Sequence, residues 1–213
     1  NKIFYDLSVR NASGEIIQFI YGDDGFNYIK IESQHLDYLG KSFDKIEEIH
    51  RFGDEQFSTF LSTNAIKKLK QTPNYKDRLD TYFGKIKEDY DFINEFVFKT
   101  NEINSLSLPI NLFRIIKNAK QLFDIRGTTL SDITPIDVID KVETLTEELV
   151  INNNISKNLL FNILVRNYLS PKYILKYHRI NKVGLNYIVD NIKLLFSNSK
   201  IDANEMVGPI AAQ

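Results

Sequence analysis

From Tyr75 to Val97 the apolar side chains recur at Tyr75, Leu79, Tyr82, Phe83, Ile86, Tyr90, Ile93 and Val97, close to an alternation of four and three. That spacing lays one seam along a helix of about six turns. The other face carries Asp77, Arg78, Lys85, Glu88, Asp89 and Asp91, the composition of a solvated side. A second helical stretch, Phe57 to Leu69, comes before it, and Thr72-Pro73-Asn74 interrupts the two. Together they predict an antiparallel helical hairpin.

Helical signals continue downstream. After Leu108-Pro109, the stretch Asn111 to Phe123 places Leu112, Ile115, Ile116, Ala119, Leu122 and Phe123 on one buried stripe. Thr134-Pro135-Ile136-Asp137 supplies a threonine cap, proline at the first helical position and an acidic residue at the third, where the helix dipole favours it. A helix should run from there to about Leu149. Asn152-Asn153-Asn154 breaks the chain, Ser156 is expected to cap a helix to Tyr168, and Ser170-Pro171 opens a short one. Asn181 caps another, ending near Phe196. Shorter helices are expected around Gln34 to Leu39 and Phe43 to His50.

Residues 7 to 21 break this pattern. A short strand through Leu7 and Val9, a turn at Asn11-Ala12-Ser13-Gly14 and a β-branched, aromatic run from Ile16 to Tyr21 read as a β-hairpin, with Gly14 free to take a positive φ. The fold class expected is mainly α with a small β element (α+β), the hairpin lying near the N-terminus ahead of a helical domain.

Composition excludes more than it selects. A net charge of -1 gives no global attraction to nucleic acid or anionic lipid, so any phosphate contact must be local. The absence of cysteine removes disulfides and thiolate zinc sites and fits a reducing compartment. No apolar run approaches the roughly 20 residues of a membrane span, so no membrane partner is expected.

Tyr21-Gly22-Asp23-Asp24 invites comparison with the strand-turn-strand by which palm polymerases present carboxylates to magnesium. A two-metal site needs a further aspartate from a neighbouring strand, and none follows before the chain turns helical. The alternative is a turn in which the aspartates bond to the local backbone. His35, His50 and His178 lack the close spacing of a zinc site and read as surface or satisfied histidines. Arg114, Lys117 and Lys120 form a basic stripe opposite the apolar face of their helix, with Arg126 nearby. It is a candidate contact for phosphate or an acidic partner, set against ordinary solvation.

Three groups of residues carry a family resemblance. Val9-Arg10-Asn11 through Ile17-Gln18-Phe19-Ile20-Tyr21-Gly22-Asp23-Asp24-Gly25, with Glu32-Ser33-Gln34 a little further on, opens the chain. Leu108-Pro109-Ile110-Asn111 followed by Arg114-Ile115-Ile116-Lys117-Asn118-Ala119, then Ser131-Asp132-Ile133, stands in the middle. Glu205-Met206-Val207-Gly208 with Ala211-Ala212-Gln213 ends it. These resemble the largest subunit of multisubunit DNA-directed RNA polymerases of the RNA polymerase II type, between the bridge helix and the trigger loop and including the foot domain.

The resemblance implies an interior fragment of a larger nucleotidyltransferase, in keeping with an opening Asn1-Lys2 and a close in Ile210-Ala211-Ala212. It divides the chain into a support segment around the active centre (1–40), a helical foot-like domain (41–200) and a lead-in to the trigger loop (201–213). It implies no catalytic, metal or cofactor-binding residue within the segment, Mg2+ being held elsewhere in the full subunit. The expected partners are other polymerase subunits, especially the second-largest, with DNA template and RNA reached through the whole complex. The expected location is intracellular: the nucleus for a cellular source, the virion or a cytoplasmic viral factory for a large DNA virus. The fragment alone should be inactive, and its two ends should lie close together. The alternative is a free-standing helical interaction module without enzymatic activity.

Overall fold

In the computed structural model, residues 1–35, 41–53, 57–97, 105–151 and 155–207 are described. The strands are β1 (Lys2–Ile3), β2 (Val9–Arg10), β3 (Ile16–Gln18), β4 (Glu32–His35) and β5 (Ser105–Leu108). The α-helices are α1 (Phe43–His50), α2 (Thr63–Gln71), α3 (Tyr75–Phe92), α4 (Leu112–Leu122), α5 (Pro135–Glu148), α6 (Ile155–Tyr168) and α7 (Lys182–Asn198). The fold is therefore predominantly helical with small β elements, four of the five described strands lying within the first 35 residues.

Helix starts follow local chemistry. At α5 the Thr134 hydroxyl accepts from the Asp137 N–H at 3.1 Å, while the Asp137 carboxylate accepts from the Thr134 N–H at 3.1 Å. Two otherwise unpaired donors are thus satisfied reciprocally, and Pro135 occupies the first position. Thr134→Ala should lower stability by about 1–2 kcal/mol, read as a shift in the urea midpoint at unchanged slope. Asn111 and Asn181 cap α4 and α7 in the same manner, accepting from Arg114 and Gly184 N–H groups at 3.0 and 2.8 Å. Helix α6 begins at Ile155, so Ser156 falls within its first turn instead of capping it.

The main core gathers around α6 and α7. Phe161, Ile163, Leu164 and Val165 of α6 and Leu185, Ile188 and Ile192 of α7 are fully buried. Helices α3 and α5 pack on α6, and α4 packs on both α6 and α7. Phe196 joins Phe161 and Phe26 with ring centroids 5.4 Å apart in each case, which keys an N-terminal residue into the helical core.

Helix α3 departs from its expected partner. Its chief neighbours are α5 and α6, not α2, so the helical hairpin expected of α2 and α3 is not formed as a paired unit. Arg78 pairs with Asp140 and Lys85 with Glu143, tying the charged face of α3 to α5. Asp89, assigned to that solvated face, is buried and receives both Nε and Nη2 of Arg166 at 2.7 and 2.6 Å. On α4, Leu112, Ile115, Ile116 and Ala119 are buried as the stripe requires, but Leu122 is 62% exposed, because the helix ends there and Phe123 turns inward in its place.

The β structure exceeds the expected hairpin. Strands β2 and β3 pair antiparallel across the turn at Asn11 to Gly14, with Gly14 at φ 83°, and β1 adds to the other side of β2. Leu7 and Tyr21 lie outside the strands. A second sheet pairs β4 with β5, Glu32 opposite Leu108 and His35 opposite Ser105. Gln34 is thus in a strand, not the expected helix; residues 36 to 39 of that expectation lie outside the described residues. The buried Gln34 amide donates to the Ile110 carbonyl at 2.7 Å and accepts from the Leu112 N–H at 3.3 Å, fixing β4 against the start of α4. Phe43 to His50 is helical as expected.

Candidate functional site

The two ends of the described chain are stitched together in two places. Lys2 forms an antiparallel bridge with Met206, and Ile3 N–H donates to the Glu205 carbonyl at 2.9 Å while Asn204 N–H donates to the Ile3 carbonyl at 2.8 Å. Further in, Phe26 bridges Lys200: Asn27 N–H donates to Ser199 at 2.8 Å and Ile201 N–H to Gly25 at 2.8 Å. The Asn27 side chain adds a bond to Glu205 at 2.8 Å. Between the two stitches, Ile3, Val9, Tyr21 and Ile201 form a separate small core with Val207 against it. Residues 1–3 and 204–207 thus meet, in line with the expected nearness of the ends; residues 208–213 of that expectation lie outside the described residues.

This clasp accounts for the acidic turn. Tyr21 to Asp23 form a single 3-10 turn with Gly22 and Asp23 both at positive φ, and the Asp24 carboxylate accepts from the Phe26 N–H at 3.0 Å. Asp24 thereby shapes the backbone that enters the second stitch. Among the described residues no group of three or more histidine, aspartate or glutamate side chains is arranged to hold a metal ion. The residues at this turn do not fit a two-metal centre, which needs converging carboxylates.

The basic stripe on α4 divides. Arg114 is held in a bidentate pair with Glu32 of β4, both N···O distances 2.5 Å. Arg126 is likewise paired with Asp124, at 2.8 and 3.2 Å. Lys117 and Lys120 instead border an open cavity of about 470 Å3 that Phe113, Gln121, Ile125 and His178 also line.

Two histidines are buried in the helical part. His50 shares a hydrogen bond with the Ser170 hydroxyl at 2.6 Å, and burial, with the charges of Lys172 and Lys41, pushes its pKa down to about 4. His178 stacks edge-on against Tyr173 with centroids 4.5 Å apart, its Nδ1 is buried without a hydrogen bond, and burial with the Lys120 charge likewise lowers it to about 4. Both are neutral at pH 7. The side chain of His35 lies outside the described residues. Among the described residues no helix is long and apolar enough to cross a membrane.

Known proteins carry a similar segment. DNA-directed RNA polymerase II subunits RPB1-A and RPB1-B of Trypanosoma brucei brucei are each 28% identical to this chain over 238 aligned positions. The alignment takes in 98% of the chain and 13% of either relative, so the chain spans only a small part of the proteins it matches. The family described as RNA polymerase Rpb1, domain 6, matches residues 27–199. Its limits coincide with Asn27 and Ser199, the two residues joined by the inner stitch. With that match covering most of its length, from one side of the clasp to the other, the chain belongs to the RNA polymerase Rpb1 domain 6 family.

Proposed function

We propose that this chain is a segment of the largest, catalytic subunit of a DNA-directed RNA polymerase of the RNA polymerase II type, and that it serves DNA-templated RNA synthesis as a brace. The single observation that carries this reading is the clasp, which joins the two ends of the segment by isolated β-bridges around a small core of their own, with Phe26 set into the helical core. A transfer reaction that depends on positioning gains from such a base, because displacement of one reacting group by even about 1 Å is costly. The elements braced would be the bridge helix before the segment and the trigger loop after it.

The surface around the clasp supports placement inside a larger assembly. Tyr5 is 83% exposed, Phe19 80% and Met206 73%, apolar surface that a covering partner would remove from water. Other polymerase subunits, especially the second-largest, are the proposed partners, with DNA and RNA engaged through the whole complex. Magnesium would be held by a part of the subunit outside this segment. The nucleus, or a virion or viral factory, is the proposed location.

The test is a full-length subunit carrying Asn27→Ala and Ile201→Ala, assembled with its complete set of partners. Nucleotide addition on a primed template should slow about tenfold, equivalent to ~1.4 kcal/mol on the barrier, with its magnesium dependence unchanged. An assembled variant that elongates at the parental rate would refute the brace. In a companion assay the segment alone should incorporate no nucleotide with magnesium present.

A further inference from the structure

The cavity beside α4 brings together unpaired charge and exposed apolar surface away from the clasp. Its walls are Phe113, Lys117, Lys120 and Gln121 from the helix, Ile125 from the turn after it and His178 from the far side. Phe113 is 45% exposed and Ile125 is buried, so the cavity has an apolar floor and one accessible aromatic wall. Lys117 and Lys120 stand three residues apart on one helix face, which sets them about 5–6 Å from each other. Among the described residues neither makes an ion pair, whereas Arg114 and Arg126 on either side are both committed to carboxylates. From Phe113 to Lys120 the line of contact groups runs about 10 Å along the helix, the reach of a short peptide.

We propose that this cavity docks an acidic peptide segment of a protein partner, which inserts one apolar side chain between Phe113 and Ile125 and sets flanking carboxylates against Lys117 and Lys120. Three features favour carboxylates on a peptide over a phosphate group. The Lys120 end of the cavity lies in the last turn of α4, where the helix dipole is negative and no unpaired helix N–H groups are offered to a phosphate. The Asp124 carboxylate, although paired with Arg126, stands on the same rim and opposes a concentrated dianion more than dispersed single charges. The imidazole of His178 is neutral and adds no third cation. The mouth is wide, as suits a side chain presented from a partner's surface. The inference goes beyond the brace and does not depend on it, because it rests on α4 and its neighbours alone.

The test uses the full-length protein and a dye-labelled synthetic peptide holding one leucine flanked on each side by two glutamates, followed by fluorescence anisotropy. Saturable binding, weakening as salt is raised, is expected. Charge reversal by K117E with K120E should weaken it at least tenfold, and F113A should do the same, while K117R with K120R retains it. K70E, on an exposed position of α2, is the control and should leave it unchanged. The thermal midpoint of each variant, kept near the parent's, separates lost docking from lost folding. Binding that survives F113A but not charge reversal would mean unspecific attraction and overturn the proposal, as would an absence of binding. Displacement by millimolar inorganic phosphate at matched ionic strength would replace the acidic segment with a phosphate ligand and equally overturn it.

Discussion

Asp89→Ala should destabilise the fold by about 3–5 kcal/mol, the largest loss expected from any single charged residue described above. Asp89 and Arg166 have side-chain exposures of 9% and 19% and share two short, parallel hydrogen bonds between α3 and α6. Removing the carboxylate strands a guanidinium in a region with little water. The exposed pairs between α3 and α5 offer the internal comparison: Lys85→Ala removes a contact to Glu143 that lies at the surface, and should cost no more than about 1 kcal/mol. Replacing both partners by D89L with R166M should recover most of the loss, because the penalty lies in the unmatched charge. Urea denaturation of the parent and these three variants decides the matter. If D89A is no more harmful than Lys85→Ala, the buried pair is not desolvated.

Acidification from pH 6.5 to pH 4 should produce the second large effect. His50 and His178 both have pKa values lowered from an ordinary 6.5 to about 4, chiefly by burial. In that window the unfolded chain binds protons that the folded chain refuses, so stability rises with pH across it and falls as pH is lowered. Below pH 4 the loss is complete, and a shift of this size amounts to ~3 kcal/mol for each ring. Two such losses reach the scale of a whole domain's net stability, about 5–15 kcal/mol. The depressed carboxylate of Asp137 adds a loss of the same sign at the acid end of the window, where the unfolded carboxyl begins to take up its proton, so the comparison with His50→Gln isolates the histidine share. Midpoints measured at pH 7, 5.5 and 4 should fall steadily in the parent, and less steeply in His50→Gln. Equal slopes in the two proteins would show that His50 takes up its proton as readily folded as unfolded.

What could be read from the sequence was the chemistry that acts within a few residues. Thr134 and Asp137 declare a helix start because both halves of the box lie within one turn, and Asn181 caps α7 for the same reason. The break at Pro73 and the turn ending in Gly14 are equally local. Strands β4 and β5 were illegible: Ser33, Gln34, Ser105 and Ser107 carry little strand preference, and the partners are separated by several helices. Asp89 looks like any solvated acid until Arg166, on another helix, is folded against it.

The same limit applies to the candidate sites. Arg114, Lys117 and Lys120 share a stripe by spacing alone, yet Glu32 from β4 removes Arg114 from it, and His178 and Ile125 make a cavity of what remains. The nearness of the two ends was implied by family resemblance, while the bonds that secure it, such as Asn27 to Ser199, follow no pattern a single strand displays. The aspartates at 23 and 24 were open to two readings until the Asp24 bond to the Phe26 N–H decided for a turn.

The double stitch has a topological consequence. Since Asn27 and Ser199 are bonded directly, the α-helices α1 to α7 lie on a side branch whose base is one hydrogen-bonded step wide. That branch can lengthen, shed a helix or take up a visitor over evolution while the spacing of the two chain segments at its root stays constant. Size and surface of the lobe are then free to vary independently of whatever the roots hold in register.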